Sequence, residues 1–275
     1  SGWQEKTICR YLVTMNRTLS KLAVLPIAIL LTGGFLWFVF HSASGPSKKA
    51  TVPDFAANEN VQEKKDTFFE FMLPIIRRVN EAIRKERQLV NHFSRTVESG
   101  RDLSERDDRQ LAKLMIKYRL IGDPYSDAEN ITQLLRRVDT IPAPLVLAQS
   151  ANESAWGTAR FAREGNNYFG LWCWSRNCGM LPSERDEGAS HEVASFDTIE
   201  AGVTYYTLTL NSHPAYQLLR DLRAALKAKG KPVKGLELAA GLLEYSERRE
   251  AYVDEIREMI TYNDLHRFTR IKYDH

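Results

Sequence analysis

The chain has 275 residues, of which 43% are hydrophobic and 27% are charged, as is ordinary for a folded protein. This length accommodates one well-buried domain with extensions, or two small domains. A net charge of only +3 lacks the basic bias of a nucleic-acid binder, so no nucleic-acid partner is expected.

Residues 22–40 depart from this composition because they are uncharged and strongly apolar. As a helix they would extend roughly 28 Å, close to the hydrocarbon thickness of a bilayer. Four basic residues precede them: Lys6, Arg10, Arg17 and Lys21. The positive-inside rule therefore places residues 1–21 in the cytoplasm and everything after about residue 41 outside. We expect a single transmembrane helix with the membrane as its partner.

The flanks of this predicted anchor are less regular. The small residues 42–44 are acceptable to a signal peptidase, but the long apolar run favours an uncleaved signal anchor. Residues 1–14 are set aside from fold reasoning, because Met15 begins a more typical signal-anchor start. Residues 41–59 have the composition of a linker.

Two regions are predicted to follow the linker. Over residues 60–138 apolar side chains recur at helical spacing, which predicts helices packed on the next domain, with an interruption at Pro74. Residues 139–265 form the second domain, and residues 266–275 form a tail. The second domain begins with a helix over about 143–163 and contains an aromatic, Gly-rich stretch typical of a small β lobe. The predicted class is α+β and mainly helical.

The helix over 143–163 carries a candidate catalytic carboxyl, Glu153. Most of its residues are apolar or small, so the helix should be buried on most sides, yet Gln149, Glu153 and Gly157 share one face. Desolvation would raise the pKa of Glu153 and keep it partly protonated near neutrality, as a general acid acting on a glycosidic oxygen requires. The alternative is a Glu paired with a nearby arginine in a surface groove.

Cys173 and Cys178 lie beyond the anchor, on the side expected to be oxidising. There a Cys-x4-Cys pair favours a disulfide that closes a small loop. Free thiols and a metal site are the alternatives, but no second Cys/His pair has zinc spacing. The six histidines are dispersed as well, so neither a metal nor a cofactor is expected.

The sequence around Glu153 resembles a family signature. Residues 149–157 (Gln-Ser-Ala-Asn-Glu-Ser-Ala-Trp-Gly) and 166–171 (Asn-Asn-Tyr-Phe-Gly-Leu) are similar to the Ala-x-Glu-Ser-x-Trp-Gly helix and the Asn-x-Phe-Gly loop of the glucosaminidase superfamily, which includes glycoside hydrolase family 73. Later segments resemble the rest of the pattern, so the resemblance covers about residues 140–262. Residues 52–55 and 64–69 resemble the Bax-like membrane-associated proteins of Gram-negative bacteria.

This resemblance implies a lysozyme-like domain that hydrolyses β-1,4 bonds next to N-acetylglucosamine in peptidoglycan, on the periplasmic side of the inner membrane. Glu153 matches the catalytic acid of the family, and Tyr245 matches a functionally important tyrosine. The aromatic side chains of the β lobe are candidates for a sugar-stacking wall, with two of them expected in the core. The substrate-binding candidates are Gln149, Asn167, Tyr168, Phe169, Trp172, Trp174 and Tyr216.

The second catalytic group stays open. Glu192 in the β lobe is favoured over its neighbours Glu184, Asp186 and Glu187. An inverting hydrolase needs this carboxylate about 6.5–9.5 Å from the acid, whereas a retaining route uses the 2-acetamido group of the substrate. Two other functions remain as alternatives: a non-catalytic glycan-binding scaffold, and a lytic transglycosylase, which needs one carboxylic acid.

Overall fold

Helices dominate the part of the chain that the structure, a computed structural model, describes: residues 51–120, 127–175, 177–182 and 191–269. In chain order the helices are α1 (Val61–Glu98), α2 (Glu105–Lys117), α3 (Asp127–Arg137), α4 (Ala143–Glu153), α5 (Arg160–Gly165), α6 (Ile199–Ser212), α7 (Gln217–Ala228), α8 (Gly235–Leu238) and α9 (Glu250–Tyr262). Short 3-10 segments span Pro214–Tyr216, Ala239–Leu242 and Leu265–Thr269. The strands are β1 (Trp172–Cys173), β2 (Gly179–Met180) and β3 (Glu192–Ala194).

Helix α1 is the longest of these elements. The side chain of Asn60 caps its start by accepting hydrogen bonds from the backbone N–H groups of Gln62 (2.8 Å) and Glu63 (3.1 Å). The expected interruption at Pro74 is wrong, because the helix continues through it. Pro74 lies on the exposed face, and the buried residues on both sides of it hold the helix in place despite the lost hydrogen bond.

The three strands form a small antiparallel sheet in the order β1-β3-β2. Strand β3 lies in the centre and is buried, with Val193 opposite both Trp172 and Met180. A Cβ at Gly179 would approach the backbone oxygen of Val193 to 1.9 Å, so only glycine fits at this position. Cys173 and Cys178 form a disulfide across the loop between β1 and β2.

The end of the predicted linker belongs to the folded unit, which begins at Val52. Phe55 is only 2% exposed, and its ring lies 5.4 Å from the ring of Phe68. It also covers Gly157, where a Cβ would come within 2.4 Å of the Phe55 ring. The segment before α1 therefore packs directly against the turn that follows Glu153.

A buried arginine joins the two regions that the sequence separates at residue 138. Arg223, on α7, is 1% exposed and donates to Asn211 Oδ1 (2.7 Å) and to the carbonyl of Arg136 (2.9 Å). Burial lowers the pKa of Arg223 to about 10, and the nearby carboxylate of Asp139 opposes that shift. Asp139 also pairs with Lys227. One continuous hydrophobic core extends on both sides of this joint.

The predicted fold class is confirmed in its main features: the described residues are mainly helical with a small sheet, which is consistent with a lysozyme-like domain. The expected membrane span at 22–40 and the termini at 1–21 and 270–275 lie outside the described residues. Within the described part of the chain, no helix combines the length and the apolarity needed to cross a membrane.

Candidate active site

Glu153 is the last residue of α4, so the expected continuous helix over 143–163 is wrong. Residues 155–157 have φ angles of +48°, +60° and +77°, and the chain resumes a helix only at α5. The Ser154 hydroxyl accepts a hydrogen bond from the Gly157 N–H (2.8 Å) and closes this left-handed turn. Three residues outside the right-handed region end α4, which places the Glu153 carboxyl at a helix end.

Glu153 opens into a cleft of about 760 Å³ that draws residues from α4, the β lobe, α6 and α9. The side chains around the carboxyl are mainly aromatic, with one second carboxylate and two arginines. The lining includes Arg119, Glu153, Phe169, Gly170, Trp172, Trp174, Tyr205, Tyr216, Tyr245, Arg248, Tyr252 and Glu255.

A directional chain of hydrogen bonds ends on Glu153. The Tyr206 hydroxyl donates to Gln149 Oε1, and Gln149 Nε2 donates to the Tyr252 oxygen (2.9 Å). The Tyr252 hydroxyl then donates to Glu153 Oε1 (2.7 Å). Burial strongly raises the pKa of Tyr206, and burial beside Glu153 does so for Tyr252, so both hydroxyls stay protonated donors. Oε1 is therefore an acceptor, and a proton held by Glu153 belongs on Oε2.

The electrostatics of the cleft favour the protonated form of Glu153. Desolvation by burial raises the pKa of its carboxyl, and the nearby Glu255 carboxylate adds to the rise. The hydrogen bond from Tyr252, the charge of Arg248 and a side-chain hydrogen bond with Asn152 oppose it without reversing the direction. The group thus has the property expected from the sequence, a raised pKa, with burial as the cause.

Gly170 leaves room for the second oxygen of this carboxyl. Its φ is +62°, and a Cβ built there would lie 3.3 Å from Glu153 Oε2. A side chain at this position would be strained and would crowd Glu153 Oε2. Glycine is required here on both grounds.

Stacked rings hold the loop that contains Gly170. Phe169 stacks on Tyr206 with ring centroids 4.0 Å apart, and Tyr245 stacks on Tyr252 at 5.5 Å. The Tyr245 hydroxyl donates to the backbone oxygen of Phe169 (2.8 Å). Tyr245 therefore lines the cleft, and its hydroxyl positions the loop, while the catalytic role expected from the resemblance stays a prediction.

Two tryptophans of the β lobe expose their rings in the cleft. Trp172 is 41% exposed and Trp174 is 74% exposed, and both line the space beside Glu153. Tyr168 and Phe169 are each 1% exposed, so two of the four candidate aromatic residues lie in the core. Tyr216 lines the cleft, and burial together with Glu244 and Glu153 raises its pKa to about 12.

Glu192 is not among the residues that line the cleft. Its Oε1 accepts a hydrogen bond from the Asn177 N–H (3.2 Å), and its Oε2 accepts one from the Gly179 N–H (2.9 Å). The carboxylate thus holds the disulfide loop between β1 and β2. This placement corrects the role favoured from the sequence. The other candidates, Glu184, Asp186 and Glu187, lie outside the described residues.

Three candidates for direct substrate binding have interior positions instead. Asn167 is 2% exposed and uses its amide for four backbone contacts with Phe169, Leu171 and Ala194. Gln149 is fully buried between two tyrosines, and Tyr168 belongs to the core. None of the three side chains is exposed to a substrate in the cleft, because packing between distant elements has buried them. The sequence alone did not show this burial.

The cleft contains functional side chains that sequence reasoning did not single out as site residues. Tyr252 contacts Glu153, and Glu255 lies one helical turn later on α9, where Arg248 pairs with it at 2.5 Å. The i, i+3 spacing of Tyr252 and Glu255 indicates that they share one face of a helix. The sequence does not indicate that this helix packs against α4.

Potential metal ligands converge at one place in the described part of the chain. Cys173, Cys178 and Glu192 bring their ligand atoms within 4.8 Å of one another. The disulfide between the cysteines removes the thiolates that a metal ion would need.

Comparison with known proteins finds one matching family model and a relative of known name. A glucosaminidase family model, described as mannosyl-glycoprotein endo-beta-N-acetylglucosaminidase, matches residues 128–265. Protein bax of Escherichia coli (strain K12) is 29% identical over 206 residues, which cover 75% of this chain and 72% of that protein. No solved structure matches the chain.

Proposed function

We propose that this chain, a Bax-like member of the glucosaminidase family, hydrolyses the β-1,4 bond next to N-acetylglucosamine in peptidoglycan. One observation carries the proposal: the half-buried Glu153 carboxyl has one oxygen anchored by Tyr252 and the other beside Gly170, in a cleft with exposed tryptophans. A glycosidic oxygen entering that cleft meets a carboxyl whose pKa burial raises, and aromatic rings suited to a sugar face.

The acid step follows from the direction of the hydrogen bonds. Oε2 of Glu153 gives its proton to the glycosidic oxygen as the bond from that oxygen to the anomeric carbon breaks. The resulting carboxylate keeps the Tyr252 donor at 2.7 Å. General acid catalysis of this kind contributes roughly 10²–10⁴-fold to the rate.

In this proposal the group that attacks the anomeric carbon belongs to the substrate. Both oxygens of Glu192 accept hydrogen bonds from backbone N–H groups, and Glu255 is paired with Arg248. The carbonyl oxygen of the substrate's 2-acetamido group attacks the anomeric carbon, and water then opens the cyclic intermediate and restores the proton to Glu153. The route retains the anomeric configuration.

Lytic transglycosylation is a second candidate, and one observation favours it. Among the described cleft residues, Glu153 is the carboxyl without an ion pair. In this reaction the C6 hydroxyl of the muramic acid residue attacks its own anomeric carbon in place of water. The product then carries a 1,6-anhydro end and no new reducing end.

We also place the catalytic domain outside the inner membrane, in the periplasm. The Cys173–Cys178 disulfide supports this, since such bonds persist in oxidising compartments. The predicted anchor at residues 22–40 would tether the domain near its polymeric substrate.

The test is digestion of purified sacculi by the full chain, with the products identified by mass. New N-acetylglucosamine reducing ends support the hydrolase, and anhydromuramic ends favour the second candidate. Glu153→Gln should abolish either product. Glu164→Gln, which removes an exposed carboxyl paired with Arg160 on α5, is the control and should digest like the wild type. Full digestion by Glu153→Gln would overturn the assignment.

A further inference from the structure

A second groove lies beside the cleft, between the start of α1 and the end of α9. Its volume is about 580 Å³, and its lining includes Lys65, Trp156, Glu258, Met259 and Tyr262. Glu255 lines both this groove and the cleft of Glu153, so the two spaces adjoin at this side chain. A branch of a polymer lying in the cleft would therefore be within reach of the groove.

The centre of the groove is an ammonium between two aromatic rings. Lys65 Nζ lies 5.1 Å from the ring centroid of Trp156 and 4.8 Å from that of Tyr262. No described carboxylate lies within ion-pairing distance of this ammonium. An ammonium over a ring face is held there electrostatically, and it obstructs stacking of a neutral sugar on that face.

The remaining lining supplies the opposite charge and an apolar surface. Glu258 is exposed and makes no ion pair with any described residue, and Tyr262 is 82% exposed. The ring of Tyr262 is therefore accessible to a ligand that enters the groove. Besides Glu255, which is paired with Arg248, the groove thus offers one ammonium, one carboxylate without an ion pair among the described residues, and aromatic rings.

We propose that this groove binds the peptide branch of the glycan chain, with a peptide carboxylate on Lys65 and a peptide ammonium on Glu258. The inference rests on the proposed action on peptidoglycan, whose muramic acid residues carry short charged peptides. It predicts that the enzyme prefers a peptide-bearing glycan strand to an unsubstituted polymer of N-acetylglucosamine as its substrate. Charge complementarity and the position of the groove next to the cleft carry the assignment.

The first experiment compares two substrates for the full chain: sonicated sacculi, and the same glycan strands freed of peptides by an amidase. The wild type should show a higher kcat/KM on the peptide-bearing strands. Lys65→Ala should lose about tenfold on those strands only, since one charge-assisted contact is removed. Lys64→Ala, one residue earlier on α1, is the matched control and should behave as the wild type.

Two outcomes of that comparison would overturn the inference. One is equal wild-type kcat/KM on the two substrates, and the other is an equal loss by Lys65→Ala on both, which would make the groove a sugar subsite. Inactivity of the wild type on both substrates would defeat the proposed function instead.

A binding measurement tests the groove independently of activity. Calorimetric titration of the amidase-released peptides into full-length Glu153→Gln should give binding that Lys65→Ala weakens about tenfold in the same background. Glu258→Gln should weaken it as well, whereas Lys64→Ala should not. Absence of binding, or binding indifferent to Lys65, contradicts the peptide assignment.

Discussion

Two glutamates of this chain, the half-buried Glu153 at the end of α4 and the buried Glu192 in the β lobe, differ in what their oxygens contact. Glu153 has one oxygen bonded to the Tyr252 hydroxyl and one facing the cleft beside Gly170. Glu192 has each oxygen bonded to a backbone N–H of the disulfide loop. One oxygen of Glu153 therefore faces the cleft, whereas both oxygens of Glu192 hold the disulfide loop in place.

The contrast teaches that burial alone does not identify a catalytic acid. Burial raises the cost of the charged form, but backbone donors compensate that cost where they are available. At Glu153 the compensation is partial, so its pKa is raised. Substitutions that move an oxygen of either glutamate or remove one of its partners test this difference.

Substitution at Gly170 should break the contrast most strongly. Gly170→Ala places a methyl group 3.3 Å from Glu153 Oε2 on a backbone with positive φ, so the acid is displaced from the glycosidic oxygen. We expect kcat/KM on sacculi to fall about 10²-fold, because misplaced catalytic groups are that costly.

Gly230→Ala controls for the backbone strain in that comparison. Gly230 has a similar φ of +63°, but a Cβ there meets no atom within 4 Å. It should keep wild-type kcat/KM after correction for folded fraction. An equal loss in both variants would show that strain, and not crowding of Oε2, causes the defect.

Glu192→Gln should affect stability instead of chemistry. The new NH₂ group would face a backbone N–H of Asn177 or Gly179, leaving one donor unsatisfied. We expect a loss of about 1–3 kcal/mol in the free energy of unfolding, measured by urea titration. The kcat of the folded fraction should remain near wild type, and a catalytic collapse with intact stability would return Glu192 to the mechanism.

Tyr252→Phe should change the titration of Glu153. Losing the hydroxyl removes a donor that favours the carboxylate, so the pKa of Glu153 rises further and the alkaline limb of the kcat/KM profile moves to higher pH. The product carboxylate also loses its partner, so kcat falls about tenfold. Tyr168→Phe, also buried, should leave the pH–rate profile in place, and an unmoved limb in Tyr252→Phe would exclude this coupling.

Glu153→Gln should stabilise the protein at neutral pH. Because the folded-state pKa of Glu153 is raised from 4.5, the folded chain binds more protons than the unfolded chain as pH rises through that pKa, and stability is lost there. The neutral Gln has no such loss. We expect a Tm gain of about 2–4 °C at pH 7 relative to wild type, vanishing below pH of about 4.5. A lower Tm at pH 7 would contradict the raised pKa.

Much of the framework could be predicted from local sequence. Apolar spacing indicated α1 to α3, since each helix buries one face, and the Cys-x4-Cys pair indicated the loop that is closed in the structure. The interruption expected at Pro74 was wrong, because the packing of buried residues on both sides of this exposed proline outweighs its low helix propensity.

The candidate site was predictable only in part. The Glu153 helix and its raised pKa followed from an acid among apolar residues. Its ending at 153 did not, because the left-handed turn at 155–157 packs against Phe55, more than a hundred residues earlier in the chain.

The sequence by itself determined the helical class, the family signature and the choice of Glu153 as the candidate acid. Tertiary structure alone decided which oxygen of Glu153 accepts a hydrogen bond from Tyr252, since Tyr252 lies 99 residues later in the chain. It also decided that Glu192 bonds to backbone N–H groups of the disulfide loop. Periodicity and motifs are local properties of a chain. The partners of a buried carboxyl are set by packing between distant elements, and those partners determine its chemistry.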